Sequence, residues 1–193
     1  QGNMAMLRAV ECQGLVLDTG WLKDGIWNYF ASFYGHAWLW LGDGRKASET
    51  LHHFGNHASP LLVWREEQMP VGKGSAVVGD MPHNWASAEF IRLTRNCLAL
   101  ERDADLHLFE GMPACWVKPG CVTRLRGVAT EFGPLTLELA VTRDGAAATL
   151  KLTPPSRTPP RRIVLHLDNW SGQQGRIELS GSRVNTRQIP LKR

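Results

Sequence analysis

No apolar run in this 193-residue chain approaches the roughly 20 residues that a membrane-crossing helix needs; the longest, such as residues 37–41, stop far short. The first residues carry no basic-then-apolar signal pattern, so nothing here predicts a membrane partner. Cysteine is sparse. Cys12, Cys97, Cys115 and Cys121 form no C-x-x-C pair and no zinc-finger spacing, which predicts buried or reduced thiols; only Cys115 and Cys121 are close enough to raise the question of a small disulfide loop. Ser59 and Ser75 lack the G-x-S-x-G elbow of a serine hydrolase, and Gly72, Gly74 and Gly79 match neither phosphate-loop pattern. His52, His53, His57 and His83 are crowded, yet Gly55 breaks the helical spacing between His53 and His57 and no Glu stands where a zincin needs one. The expectation is no metal and no cofactor.

What is present describes a chain able to bury a core: 43% hydrophobic and 21% charged residues, with a net charge of +4. That charge is uneven. From Lys151 onward nine Lys and Arg face two acids, a surplus of +7, which leaves −3 for residues 1–150. These arginines alternate with apolar residues or sit among prolines, and no aromatic array accompanies them to stack bases, so a solvated basic face is expected rather than nucleic-acid binding.

The pattern changes near residue 104. Before it, apolar residues recur at helical spacing; after it, they alternate between turns rich in Gly and Pro. The helical part should run over 1–103 and a β-domain over 104–193. The opening residues already read as a helix in progress, which suggests a piece of a longer chain. Asp24 is a plausible N-cap for a helix to about Leu41 with Ile26, Phe30, Phe33, Ala37 and Trp40 on its apolar face. A second helix should start near Arg45 with Ala47, Leu51 and Phe54 inward, and a third should span Asn84 to about Leu100 with Trp85, Ala88, Leu93 and Cys97 or Leu98 inward. With the opening segment that makes four helices. Six short strands should follow from Leu106, and Asp144-Gly145 between alternating apolar residues is the strongest hairpin signal in the chain.

Seven of the eight Trp lie at or before Trp116, and six of the seven His at or before His107, so the chemistry-capable residues concentrate in the first half. Residues 56–90 stand out. There W-R-E-E-Q places Glu66 and Glu67 in a loop bounded by Gly and Pro, with His57, Trp64 and Trp85 nearby. Adjacent acids are common on solvated surfaces. In a loop that also carries Trp, they fit general acid or base work on a sugar, whose apolar ring faces stack on aromatics while carboxylates hold the hydroxyls.

Three segments, GWLKDGIW at 20–27, WREEQ at 64–68 and HNWASAEFIRL at 83–93, resemble in order and spacing the last part of the six-hairpin, or (α/α)6-barrel, glycosidases, the superfamily of glucoamylases, trehalases and glycan-processing α-glucosidases. Lys23-Asp24 replaces the usual Arg-Gly there, and Gly25 the Pro. The resemblance implies an α+β chain: helical hairpins from the end of such a barrel, then a small antiparallel β-sheet or sandwich. It implies a glycosidase acting on an oligosaccharide or glycoside, with the rest of the barrel as partner and the general acid on a loop outside these residues. Glu67 would be the base, with Glu66 the second choice. Trp21, Trp27, Asp24, His57, Trp64, Asp80 and Trp85 would be sugar contacts, Asp24 having its N-cap role as the alternative. Such a base, with its acid about 6.5–9.5 Å away, implies inversion. A non-catalytic carbohydrate-binding or assembly module, with the β-domain as its functional part, is the second hypothesis. Only Phe132 and Trp170 follow Trp116, too few aromatics for the planar row such a module displays.

Overall fold

The computed structural model describes residues 2–192 and is α+β, with four α-helices and four sheets among them. The chain divides into two compact units, Gln1–Arg95 and Asn96–Arg193, the change falling eight residues before the one expected from periodicity.

Unit 1 opens with α1 (Gly2–Ala9), which buries none of its side chains, and a two-residue ribbon of β1 (Glu11–Cys12) against β2 (Leu15–Val16). After β3 (Ile26–Trp27) come α2 (Phe30–Trp40) and α3 (Gly44–Asn56), which pack on each other. β4 (Glu67–Gln68) and β5 (Val77–Val78) then join β3 in an antiparallel three-stranded sheet of order β3-β4-β5. α4 (Asn84–Leu98) follows. At the start of α3 the Asp43 carboxylate accepts from the Lys46 amide, and Ala47, Leu51 and Phe54 face inward as their spacing requires.

Several expectations for this unit are corrected. It is not helical throughout, because five strands precede residue 100. Each has two residues, too few to show a period of two, and β3 and β4 pair across about 40 residues. Asp24 caps no helix. It has φ 57° in a turn, and α2 begins at Phe30 because residues 26–28 are tied to the 65–68 segment: the Asn28 side chain donates to the Arg65 carbonyl (2.7 Å) and to Gln68 Oε1 (3.2 Å). The buried face of α2 is Ala31, Tyr34, Gly35, Trp38 and Leu39, leaving Phe33 and Trp40 exposed. A helix apolar on nearly every side gives its period little power to choose a face. Gly35 decides it here, since a Cβ at that position would lie 2.7 Å from Leu93 Cδ2 of α4. On α4 itself Ala86, Leu93, Cys97 and Leu98 are buried, while Trp85 and Ala88 are exposed.

The resemblance to the six-hairpin glycosidases fails on this architecture. Four helices interrupted by short strands, in a chain whose structure is mostly four sheets, do not make part of a helical barrel.

Unit 2 holds two four-stranded sheets. β6 (Ala99–Arg102), β7 (Asp105–Leu108), β11 (Arg162–His166) and β12 (Arg176–Leu179) form one, in the order β12-β11-β7-β6; β8 (Val122–Thr130), β9 (Gly133–Val141), β10 (Ala147–Thr153) and β13 (Asn185–Pro190) form the other, in the order β13-β10-β9-β8. Pairing is antiparallel except between β7 and β11, which run parallel. The strand alternation sends Leu135, Leu137, Leu139, Leu150 and Leu152 from the second sheet, and Leu106, Leu108, Ile163 and Leu165 from the first, into one apolar core. The β9–β10 hairpin turns at Asp144-Gly145, where Gly145 takes φ 69° and Asp144 Oδ1 accepts from the Ala146 amide and the Thr142 hydroxyl. Cys115 and Cys121 do not pair; all four cysteines are free thiols.

Candidate functional site

The chemistry-bearing residues of unit 1 converge where three loops meet. The first is the 17–25 turn, held by a buried acid. Glu67 is wholly inaccessible, and its carboxylate accepts the Trp21 amide (2.9 Å to each oxygen) and the Leu22 amide (2.7 Å). Gly20 makes room for this, since a Cβ there would lie 2.2 Å from Glu67 Oε1. A buried carboxylate saturated by backbone donors is a fastener, and its effect is to present the Trp21 ring outward at 72% exposure. No water can reach this acid in the folded chain, so the geometry gives Glu67 a positioning role.

The second loop places Glu66, whose amide donates to the Asp80 carbonyl (3.0 Å) and whose carbonyl accepts from the Asn28 amide (3.0 Å). The third runs from Gly79 to His83, whose amide donates to the Trp64 carbonyl (2.7 Å). Gly79 has φ 76° and lies so close to Glu66 that a Cβ would fall 2.0 Å from Oε2. Ligand atoms of Glu66, Asp80 and His83 lie within 4.8 Å of one another, with Asp80 exposed, Glu66 half-buried and His83 buried.

Beside these groups runs an aromatic strip. Trp21 meets Trp27 (centroids 5.6 Å apart), Trp27 meets Tyr29 (4.4 Å), and Tyr29 meets Phe33 (5.4 Å) and Trp85 (5.9 Å), with His83 5.8 Å from Trp85. Trp21 and Trp85 are 72% and 65% exposed, so both ends of the strip present large apolar faces to solvent. Burial, with the negative charges of Glu66 and Glu89, raises the Tyr29 phenol above its ordinary pKa and keeps it a neutral donor. Trp27 Nε1 and His83 Nδ1 are buried polar atoms with no hydrogen-bond partner among the described residues.

Of the residues expected from sequence, the structure thus gathers Trp21, Trp27, Glu66, Asp80 and Trp85. It leaves three apart. Trp64 is core, its Nε1 donating to the Phe54 carbonyl (2.8 Å) and its ring against Phe54 and Phe90. His57 ends α3, bonded through Nδ1 to the His53 carbonyl (2.8 Å), with burial lowering its pKa. Asp24 is exposed and closes its own turn, its amide donating to Asp18 Oδ1 (2.6 Å). Sequence reasoning missed Tyr29 and passed over His83. The spacing Trp27-x-Tyr29, which puts alternate residues on one face of an extended segment, was the available signal for Tyr29.

Comparison with known proteins adds no assignment: no family model, no curated protein and no solved structure matches this chain.

Proposed function

We propose that the aromatic strip of unit 1 binds a saccharide and that its carboxylates serve cleavage of a glycosidic bond, with Glu66 as the acid that faces the ligand. The observation that carries the reading is the aromatic run Trp21–Trp27–Tyr29–Trp85, exposed at Trp21 and Trp85 and half-buried between them, beside Glu66, Asp80 and His83. Flat apolar faces with polar tips suit sugar rings, and a few convergent polar groups fix orientation.

One distance favours a second reading. Glu66 and Asp80 approach within 4.8 Å, closer than the 6.5–9.5 Å or so that an inverting pair needs to admit water. A saccharide-binding surface without hydrolysis accounts for the same strip. Two measurements separate these readings. Tryptophan fluorescence or calorimetry with a panel of oligosaccharides should detect binding, and Trp21→Ala or Trp85→Ala should weaken it about tenfold or more, some 1.4 kcal/mol. Unchanged affinity in both variants would remove the strip from function. Product analysis by NMR then tests cleavage, which Glu66→Gln should slow by about 10²–10⁴-fold. Binding with no product from any bound saccharide would leave the second reading.

A further inference from the structure

Unit 2 holds a cluster that the saccharide reading does not use. His107 lies on β7, Glu110 just beyond its end, and His166 closes β11, the parallel neighbour of β7. Their ligating atoms converge: His107 Nδ1 to His166 Nε2 is 2.8 Å, His166 Nε2 to Glu110 Oε2 is 3.8 Å, and His107 Nδ1 to the same oxygen is 3.9 Å. Glu110 and His166 are buried, and His107 is the more open of the three.

The two longer separations exceed any hydrogen bond, so neither imidazole satisfies Glu110 directly. A triangle with these sides has a circumradius of about 2.1 Å, so one point in its plane lies at that distance from all three atoms. That is the bond length of a divalent first-row cation to imidazole nitrogen and carboxylate oxygen, about 2.0–2.2 Å. We propose that His107, His166 and Glu110 form a binding site for one such cation, of the Zn²⁺ class, in unit 2.

Two imidazoles and a carboxylate are the donor set that suits zinc and its neighbours, and three protein ligands leave a coordination position for water. The surroundings support the ligands as an outer shell does. Arg102 Nη2 donates to Glu110 Oε2 at 2.8 Å, using one of the lone-pair directions of that oxygen and leaving another for the cation. The Asn169 side chain donates to the Glu110 carbonyl, and Trp170 Nε1 donates to the His166 carbonyl at 2.7 Å. These bonds hold both backbones while β7 and β11 fix the histidines.

The test uses the whole chain, freed of metal with a chelator and titrated with Co²⁺ and then Zn²⁺. One equivalent of Co²⁺ should bind with visible absorption and be displaced by Zn²⁺. His166→Asn and Glu110→Gln should each lower affinity by at least about 10–100-fold with the circular dichroism unchanged. Glu66→Gln and His83→Asn, at the other candidate cluster, should leave binding as it was. Absence of a stoichiometric Co²⁺ complex, or one that survives both His166→Asn and Glu110→Gln, would overturn the assignment. Should those variants fail to fold, zinc-edge absorption of the wild-type complex decides: nitrogen and oxygen scatterers near 2.0–2.1 Å support the site, and sulfur near 2.3 Å places the metal on the free thiols instead.

Discussion

The two units solve the problem of staying folded by different means. Unit 2 buries alternate residues of long strands in one apolar core, a device that any sequence of alternating Leu, Val and polar residues can use. Unit 1 closes its loops with polar side chains that reach backbone groups far away in sequence: Glu67 to the amides of Trp21 and Leu22, Asn28 to the Arg65 carbonyl, Gln13 to the Val71 amide and carbonyl, and Trp64 to the Phe54 carbonyl. Where such long-range polar bonds take over part of the holding, large aromatics can stand at the surface, as Trp21 and Trp85 do.

The comparison can be broken most sharply in the core of unit 2. Leu150→Ala, at a fully buried position of β10, should cost about 2–5 kcal/mol by removing methyls and leaving a cavity. Denaturant unfolding measures it, and a loss below about 1 kcal/mol would mean the strand core is not what holds this unit.

Unit 1 should answer to a polar change instead. Glu67→Gln removes the charge and turns one acceptor into a donor facing backbone amides, so it should cost about 1–3 kcal/mol and loosen Trp21, seen as altered Trp emission. Gly20→Ala should act the same way, through the carboxylate 2.2 Å from the new methyl. If Glu67→Gln left stability and emission unchanged, the fastening role would be lost.

A smaller effect distinguishes the units at alkaline pH. Burial, then the hydrogen bond to Glu11, raises the Tyr34 phenol from 10 to about 12. The unfolded chain therefore releases this proton first, and the stability it contributes is complete below about pH 10 and lost as pH rises towards 12. Tyr34→Phe should flatten that limb of a stability-against-pH curve; an unchanged limb would exclude Tyr34 as its source.

The smallest effect is chemical rather than energetic. Burial pushes the Cys97 thiol up to about 12, whereas Cys115 is exposed, so a thiol reagent near pH 8 should label Cys115 in the folded chain and Cys97 only on unfolding. Mass spectrometry of the labelled peptides reads this directly, and equal labelling of the two would contradict the burial of Cys97.

Much of this fold is local, and the local part was legible. The α3 helix declared itself through Asp43, Ala47, Leu51 and Phe54, and the hairpin at Asp144-Gly145 through its turn residues and flanking alternation, because capping, period and turn chemistry act over a few neighbours. The candidate site was legible in composition: Trp, acids and His crowd residues 21–85, and Glu66, Asp80 and Trp85 do come together. What lay beyond reach depends on partners distant along the chain. Two-residue strands have no pattern until Trp27 meets Glu67, and the outward face of α2 is chosen by Leu93 against Gly35. The roles of two adjacent acids show the same limit. Glu66 and Glu67 are identical in sequence terms, and strand alternation turns one towards the aromatic strip and the other inward onto the Trp21 and Leu22 amides. Residue type and spacing determined which chemistry this chain could carry. Tertiary structure decided which carboxylate is fastened to backbone amides and which is not, because only contacts across 40 or more residues tell the two acids apart.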